Sequence, residues 1–451
     1  MRPPEGERAE GSGAYARGVK YGVIIPDGAA DRPIPDLNGL TAMEAASTPN
    51  LDRLAQAGRV GTVRTTPPGM EAGSDVCSMC LLGYDPVRWH TGRAPLEAAA
   101  LGLEAGPKDW IFRLNLVTTG LAGTEQGGLM LDHSAGHITD GEARSLVSDL
   151  SAYWKQHAPE LAGGMVLTPG VSYRNILIDR SGRDFALVKT TPPHAIPNEP
   201  WAPHLPKGGG AGKEAEVLRT LMRLSAQMLA DHPINRARVE AGLRPATMAW
   251  IWGQGVKPSV PSFKERYGLR GAMITAVDLL AGIATYIGWE RLKVPGITGY
   301  HDNDYEGQGR ATITALDEYD IVCCHVEAPD EASHQGDWQT KVASIEAIDR
   351  YVVGPVARRL EAFGDPATDP SAEGWRLLVL PDHYTLVGTR KHDATPPPFL
   401  MAGSWVRSVV PRRFTEAEAA QSDLHIESGH ELMEHFLRSG LASVKSGRGV
   451  R

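Results

Sequence analysis

Residues 321–334 read IVCCHV followed by EAPDEASH. The first six residues are a short apolar, β-branched run, the pattern of a strand buried on both faces. Glu327-Ala-Pro-Asp330 then leads into a helix expected from about Glu331 to Leu360. The same punctuation recurs on either side. Tyr21–Pro26 (YGVIIP) stops at Asp27-Gly28, and Leu377–Leu380 (LLVL) stops at Pro381-Asp382-His383. Val60 to Thr65 reads as a further strand. Thr48 with Pro49 at the first helical position opens one helix, and Gly73-Ser74 leads into another over Val76 to Leu82. Strands alternating with helices predict an α/β fold, a mostly parallel sheet with helices on both faces. In such sheets functional groups gather beyond the carboxyl ends of the strands. Asp27, Asp330, Asp382 and His383 all stand at that kind of position.

Between about Arg113 and Pro245 the texture changes. A proline-rich patch (TPPHAIPNEPWAPHLP, 191–206) and a Lys-Gly-Gly-Gly-Ala-Gly-Lys stretch (207–213) interrupt the alternation. Residues 113–245 therefore read as an inserted domain, with 19–112 and 246–451 forming the core around it. Residues 1–18 are rich in Gly, Pro, Glu and Arg without an apolar centre, which reads as a disordered tail and not a signal peptide. No repeat is visible at periods of 20 to 50 residues.

The 46 basic and 54 acidic residues give a net charge of −8 and are mixed along the chain, with no basic tract to mark nucleic acid or an anionic membrane as the partner. No apolar run approaches the ~20 residues of a membrane span, and the chain reads as cytoplasmic. An acidic protein handling an anionic substrate needs local positive charge, from metal ions or a few placed Arg and Lys. The cysteines, Cys77, Cys80, Cys323 and Cys324, include one C-x-x-C pair but no second pair to complete a four-sulfur zinc site, so core packing is the expectation for all of them. Oligomeric state is not legible.

Asp330 and His334 are four residues apart at a helix start and share a face. Asp382 and His383 are adjacent in a loop, and His392 follows in Thr389-Arg-Lys-His392-Asp. Each cluster alone is commonplace as an ion pair or cap. Together, in this order at strand ends, they are a ligand set. Carboxylates with imidazoles suit Mn²⁺, Zn²⁺ or Mg²⁺, and two such ions ~3.5–4 Å apart can clamp an in-line phosphoryl displacement. Ser74, in Glu71-Ala-Gly-Ser74-Asp, is the candidate nucleophile. A cation held by Asp27, Asp382 and His383 would stabilise its alkoxide, and a helix N-terminus would favour phosphate there. The alternative for Ser74 is a plain helix cap. Lys264, in Pro261-Ser-Phe-Lys264-Glu-Arg-Tyr-Gly, is a candidate cation for the transferring group. The glycines at 208–212 are no P-loop, because Lys213 is followed by Glu214, and Gly253-Gln-Gly255 is too short for a dinucleotide fingerprint.

With these residues in view, the chain resembles the archaeal-type, 2,3-bisphosphoglycerate-independent phosphoglycerate mutases of the alkaline phosphatase superfamily. The resemblance rests on IIPDGAADRPIPDLNGLTAMEAASTPNLDRL, PGMEAGSDVCSMCLLGYDPVRWHTGRAPLEAA, VPSFKERYGLRG, VPGITGYHDNDYEG, HVEAPDEASHQGD and LPDHYTLVGTRKHD, which run from about residue 21 to 400. It implies an alkaline-phosphatase-like three-layer core with a smaller α+β substrate-binding insertion. It also implies a phosphoserine at Ser74 and two divalent cations, manganese foremost. One would be bound by Asp27, Ser74, Asp382 and His383, the other by Asp330, His334 and His392, and Lys264 matches a lysine near the phosphoserine. The reaction implied is the glycolytic and gluconeogenic interconversion of 3-phosphoglycerate and 2-phosphoglycerate. In the insertion, Arg174 matches the family. Where those mutases look like D-R-R-A-G-R, this chain reads Asp132-His133-Ser134-Ala135-Gly136-His137, with fewer guanidiniums to grip an anion. In this the chain looks most similar to a bacterial branch also proposed to act as homoserine kinase. A phosphotransferase or phosphohydrolase on another small substrate, or a non-catalytic metal-binding relative, is therefore the alternative.

Overall fold

The computed structural model describes residues 18–120, 128–210 and 213–438. The expected N-terminal tail up to residue 17, and positions 211–212 of the glycine stretch, lie outside the described residues. The chain divides into two compact units, residues 1–90 with 260–451, and residues 91–259.

The first unit is built on an eight-stranded sheet. Its order is Glu290–Arg291, Gly271–Ile274, Ile321–Val326, Lys20–Pro26, Trp375–Val379, Pro398–Gly403, Arg59–Val63 and His425–Ile426. Pro398–Gly403 pairs antiparallel with both neighbours and every other pairing is parallel, as the strand–helix alternation predicts. The three strands whose ends carry the candidate ligands are adjacent at the centre. Pro26 pairs with Val326, and Ile24 with Val379, so their carboxyl ends leave the sheet side by side. Both faces are covered. Ile24, Val322, Cys324, Leu377 and Val379 pack with Leu51, Leu316, Ile348, Val356 and Leu360 of helices. On the opposite face Tyr21 meets Phe436 edge-on, with ring centroids 5.6 Å apart. This two-sided burial is why the strands read as continuous apolar runs and not as alternating ones.

The single helix expected from Glu331 to Leu360 is instead four pieces: Ala328–Gln335, Trp338–Ile348, a π turn over Asp349–Val353, and Gly354–Glu361. The first break is chemical. Gly336 takes a left-handed φ of 76° and closes the first helix, and the Asp337 carboxylate caps the second by accepting from the Thr340 amide. The four cysteines are free and buried, as expected of core residues. Burial pushes the Cys77 thiol up to about 12.

The second unit has its own sheet, in which Trp110–Thr119 pairs with Met130–Asp132, Arg174–Asp179 and Met248–Val256, and Met165–Pro169 lies outside Arg174–Asp179. All these pairings are antiparallel. Leu146, Leu150 and Trp154 of helix Asp140–His157 and Leu218 and Leu221 of helix Lys213–Ala230 close its core. Trp110–Thr119 crosses position 113, so the compact unit is wider than the stretch where the sequence texture changes. Among the described residues, no helix is long and apolar enough to cross a membrane.

Candidate functional site

Beyond the ends of the three central strands, Asp27, Asp330, Asp382 and His383 converge as the sequence predicts, and all are buried. One atom each from Asp27, Asp330 and His383 falls within 4.8 Å of the others, as do atoms of Asp330, His334 and His392. Asp330 belongs to both groups. The His334 and His392 Nε2 atoms lie 3.0 Å apart, and they approach the Asp330 carboxylate at 3.1 and 3.5 Å respectively.

Ser74 is the first residue of helix Ser74–Leu81, and Gly73 occupies the cap position. The serine hydroxyl is therefore not spent on capping. It lies 3.3 Å from His383 Nε2, beside helical amides that lack partners within the helix. His383 Nε2 is in turn 3.6 Å from Asp27 Oδ1 and 3.4 Å from Asp382 Oδ2.

Hydrogen bonds behind the cluster settle which atoms face it. His334 Nδ1 lies 3.0 Å from the Arg390 carbonyl and His392 Nδ1 3.0 Å from the Ala72 carbonyl. A carbonyl only accepts, so both Nδ1 atoms carry hydrogen and both Nε2 atoms point inward, as in metal-binding histidines oriented from behind. Asp382 Oδ1 accepts from the Gly28 and His383 amides, at 3.3 and 3.0 Å. Among the described residues no N–H or hydroxyl reaches its Oδ2, Asp27 Oδ1 or Glu327 Oε2, which are buried against one another's carboxyl groups. Orphaned buried carboxylate oxygens are costly. Three of them around inward-facing imidazoles are a donor set that fits hard divalent cations.

Electrostatics agree. Burial, then the charges of Asp382 and Asp330, push the Asp27 carboxyl well above its usual range, and burial, then Asp27, does the same to Glu327. Asp330 is also driven up by burial, but hydrogen bonds from His334 and His392 reverse this and hold it well below the usual range. The Asp330 hydrogen bond lifts His334 to about 9.

Two participants escaped the sequence reading. His325 Nε2 lies 2.7 Å from Asp27 Oδ2. The Asp27 carboxylate only accepts, so Nε2 donates to it, and Nδ1, 3.1 Å from the Thr275 hydroxyl, accepts from that hydroxyl. His325 therefore donates to Asp27 and leaves Oδ1 facing the cluster. Glu327 stands at the cap of helix Ala328–Gln335 but makes no cap bond, its Oε2 lying 3.5 Å from His325 Nε2. A histidine at the penultimate position of an apolar strand, with a glutamate two residues on, was the available signal. Behind the cluster, fully buried Lys341 donates to Asp31 at 2.9 Å and to the Thr385 carbonyl at 2.7 Å. Lys264 is exposed on helix Phe263–Tyr267. The Tyr84 hydroxyl, donating to the Pro261 carbonyl at 2.9 Å, ties that segment to the chain leaving the Ser74 helix.

In the second unit, Asp132 uses both oxygens inside its own loop. It accepts from the Ser134 amide and hydroxyl at 2.7 and 2.6 Å and from the Gly136 amide at 2.9 Å, and Arg244 lies 3.2 Å away. His133 packs edge-on to Tyr173 and His194, and the Arg174 guanidinium lies over the Tyr173 ring. Arg113, buried and paired with Glu97 at 3.0 Å, stacks on Trp252, which also meets His194. Burial, then the charge of Arg113, lowers His194 to about 4. This sheet face thus gathers guanidiniums and neutral imidazoles, with Arg113 and His194 added to the residues the sequence singled out.

Comparison with known proteins fits this geometry. A family profile described as 2,3-bisphosphoglycerate-independent phosphoglycerate mutase matches residues 55–235. The protein of that name from Methanothrix thermoacetophila is 43% identical over 92% of this chain and 98% of its own length. One from Methanothermobacter thermautotrophicus is 44% identical over 92% and 96%. Among solved structures, the PH0037 protein from Pyrococcus horikoshii superposes with a TM-score of 0.74 at 27% identity, covering 93% of this chain and 98% of that one. With two such relatives matched almost end to end, the chain belongs to the 2,3-bisphosphoglycerate-independent phosphoglycerate mutase family.

Proposed function

We propose that this enzyme interconverts 3-phosphoglycerate and 2-phosphoglycerate through a phosphoserine at Ser74, at a site holding two divalent cations, manganese foremost. The observation that carries the reading is the set of carboxylate oxygens without a donor and inward-facing imidazoles beside the Ser74 hydroxyl. Charge supports the number of cations. Asp27, Glu327, Asp330 and Asp382 bring four negative charges, and like charges ~4 Å apart repel by about 4 kcal/mol at an effective dielectric of 20. Two dications balance four carboxylates with the histidines neutral.

Asp27, Asp382 and His383 would hold one cation next to Ser74, and Asp330, His334 and His392 the other. When bound, the ions supply Lewis-acid stabilisation of the serine oxygen and of the phosphoryl charge. The rest falls to the chain's own groups. The Ser74 oxygen attacks phosphorus, forming the P–O bond to serine as the P–O bond to the glycerate oxygen breaks, and the proton that serine gives up is matched by the one that the glycerate oxygen takes. The glycerate turns within the site and its other hydroxyl takes the phosphoryl group back, releasing Ser74. The first amides of helix Ser74–Leu81 favour the phosphate. In the second unit, Arg113 and Arg174, with His133 beside the Asp132 loop, form a face whose charge suits a carboxylate or phosphate.

Incubation with 3-phosphoglycerate tests this directly. Formation of 2-phosphoglycerate without free phosphate, with label from [³²P]phosphoglycerate trapped on Ser74 by acid quench, is the expected result. Accumulation of inorganic phosphate overturns it.

A further inference from the structure

His383 and His392 are placed by one ribbon, Tyr384–Leu386 paired antiparallel with Lys391–Asp393, in which Thr385 stands directly opposite His392. The fully buried Thr385 hydroxyl has two partners, Asp330 Oδ1 and, at 3.1 Å, His383 Nδ1. A carboxylate only accepts, so the single hydroxyl proton goes to Asp330 and the oxygen accepts Nδ1–H of His383. That assignment leaves His383 Nε2 with its lone pair, 3.3 Å from Ser74 Oγ.

We infer that Thr385 is a positioning residue that joins the two cation sites, one hydroxyl fixing both the ring nitrogen that His383 presents beside Ser74 and the carboxylate that Asp330 shares between the two groups. Two further observations bear on it. The residue's backbone is pinned, its amide donating to the Ala30 carbonyl at 3.2 Å and its carbonyl accepting from Lys341 at 2.7 Å. Gly28, at φ +59°, packs so tightly here that a Cβ would stand 2.5 Å from both Asp330 Oδ1 and Thr385 Oγ1. The hydroxyl has no room to swing to another partner.

Without the hydroxyl, His383 is free to carry its hydrogen on Nε2, the wrong face for a cation, and Asp330 loses a donor. Losing such support behind metal ligands typically costs 10–100-fold in metal affinity.

This rests on the two-cation reading above, and the experiment separates the two. Full-length wild-type, Thr385→Val and Thr385→Ser proteins are stripped with chelator, checked by circular dichroism and melting, and titrated with Mn²⁺ by calorimetry and by the electron paramagnetic resonance of free Mn²⁺. Thr385→Val, nearly isosteric, is expected to keep the fold of the stripped protein by circular dichroism, with a melting temperature lowered by the two buried partners left unsatisfied. It should bind Mn²⁺ about 10–100-fold more weakly and lose kcat with little change in KM for phosphoglycerate. Thr385→Ser, which restores the oxygen, should bind within a few-fold of wild type. Should Thr385→Val not fold, Thr385→Ala takes its place. Wild-type Mn²⁺ affinity in the valine variant, or a serine variant as weak as valine, overturns the role of Thr385. A wild-type protein that binds no Mn²⁺ overturns the two-cation reading itself.

Discussion

Replacing Gly28 with alanine tests how closely the site is built. Gly28 follows Asp27 with φ +59°, and a Cβ added there would lie 2.5 Å from Asp330 Oδ1 and Thr385 Oγ1 and 2.9 Å from Asp330 Cβ. An ordinary contact is about 3.4 Å or more, so the two side chains must retreat by roughly 0.9 Å. Neither is free to do so cheaply. Asp330 is held by Thr385 and His334, and Thr385 by Asp330 and His383. A displacement of ~1 Å in a catalytic array can cost about 10²-fold in rate, and the left-handed backbone adds about 1–2 kcal/mol of strain for alanine. Gly39→Ala isolates that second part, because Gly39 also has a positive φ (+80°) yet none of the described residues lies within 4 Å of its Cβ position. Gly39→Ala should lose only the backbone part in thermal melts, and Gly28→Ala more, because the clash adds to it. Only Gly28→Ala should lose about 10²-fold in kcat/KM, with weaker Mn²⁺ binding in the same titration. Activity within threefold of wild type in Gly28→Ala would refute the close-packed arrangement of Asp330 and Thr385.

Ser74→Ala should abolish covalent labelling and lower kcat by about 10⁴-fold or more while circular dichroism is unchanged; substantial turnover would mean direct transfer between substrates. His334 in the stripped protein titrates near 9 against an ordinary 6.5, raised by Asp330. The stability this charge contributes is complete below about pH 6.5 and is lost as pH rises through 9. Melting temperature of the chelated protein should therefore fall between pH 7 and 9, with a flatter profile in His334→Gln and in the Mn²⁺-loaded enzyme. Lys341→Met removes the buried partner of Asp31 and should destabilise by about 3–5 kcal/mol in denaturant melts, with Asp31→Asn added to it recovering part of the loss.

The parts of the site visible in the sequence were those with local signatures. Asp27, Asp330, Asp382 and His383 follow apolar runs, so the strand-end rule located them without knowledge of the sheet order. Ser74 was visible for the same reason, standing just before an apolar helix. His325 was not, because inside IVCCHV it reads as one residue of a strand, and its bond to Asp27 spans 298 positions that only the parallel pairing brings together. Thr385 was hidden in the same way, by a ribbon three residues long on each strand. The broken helix after Asp330 was legible in principle, since Gly336-Asp337 is a stop followed by a cap, but the apolar spacing beyond it masked the interruption. In the second unit, Arg113 and His194 meet across the Trp252 ring, a proximity that no spacing in the chain encodes.

The central position of strand Lys20–Pro26 has a consequence for biosynthesis. Its two sheet neighbours, Ile321–Val326 and Trp375–Val379, are made some 300 residues later. At ~5–20 residues per second of translation, the apolar run leaves the ribosome and stays unpaired on both edges for roughly 15–60 s. Residues 91–259, whose described strands pair only with one another, can fold within that interval. The nascent first strand is therefore a segment for which a holding chaperone would matter during synthesis.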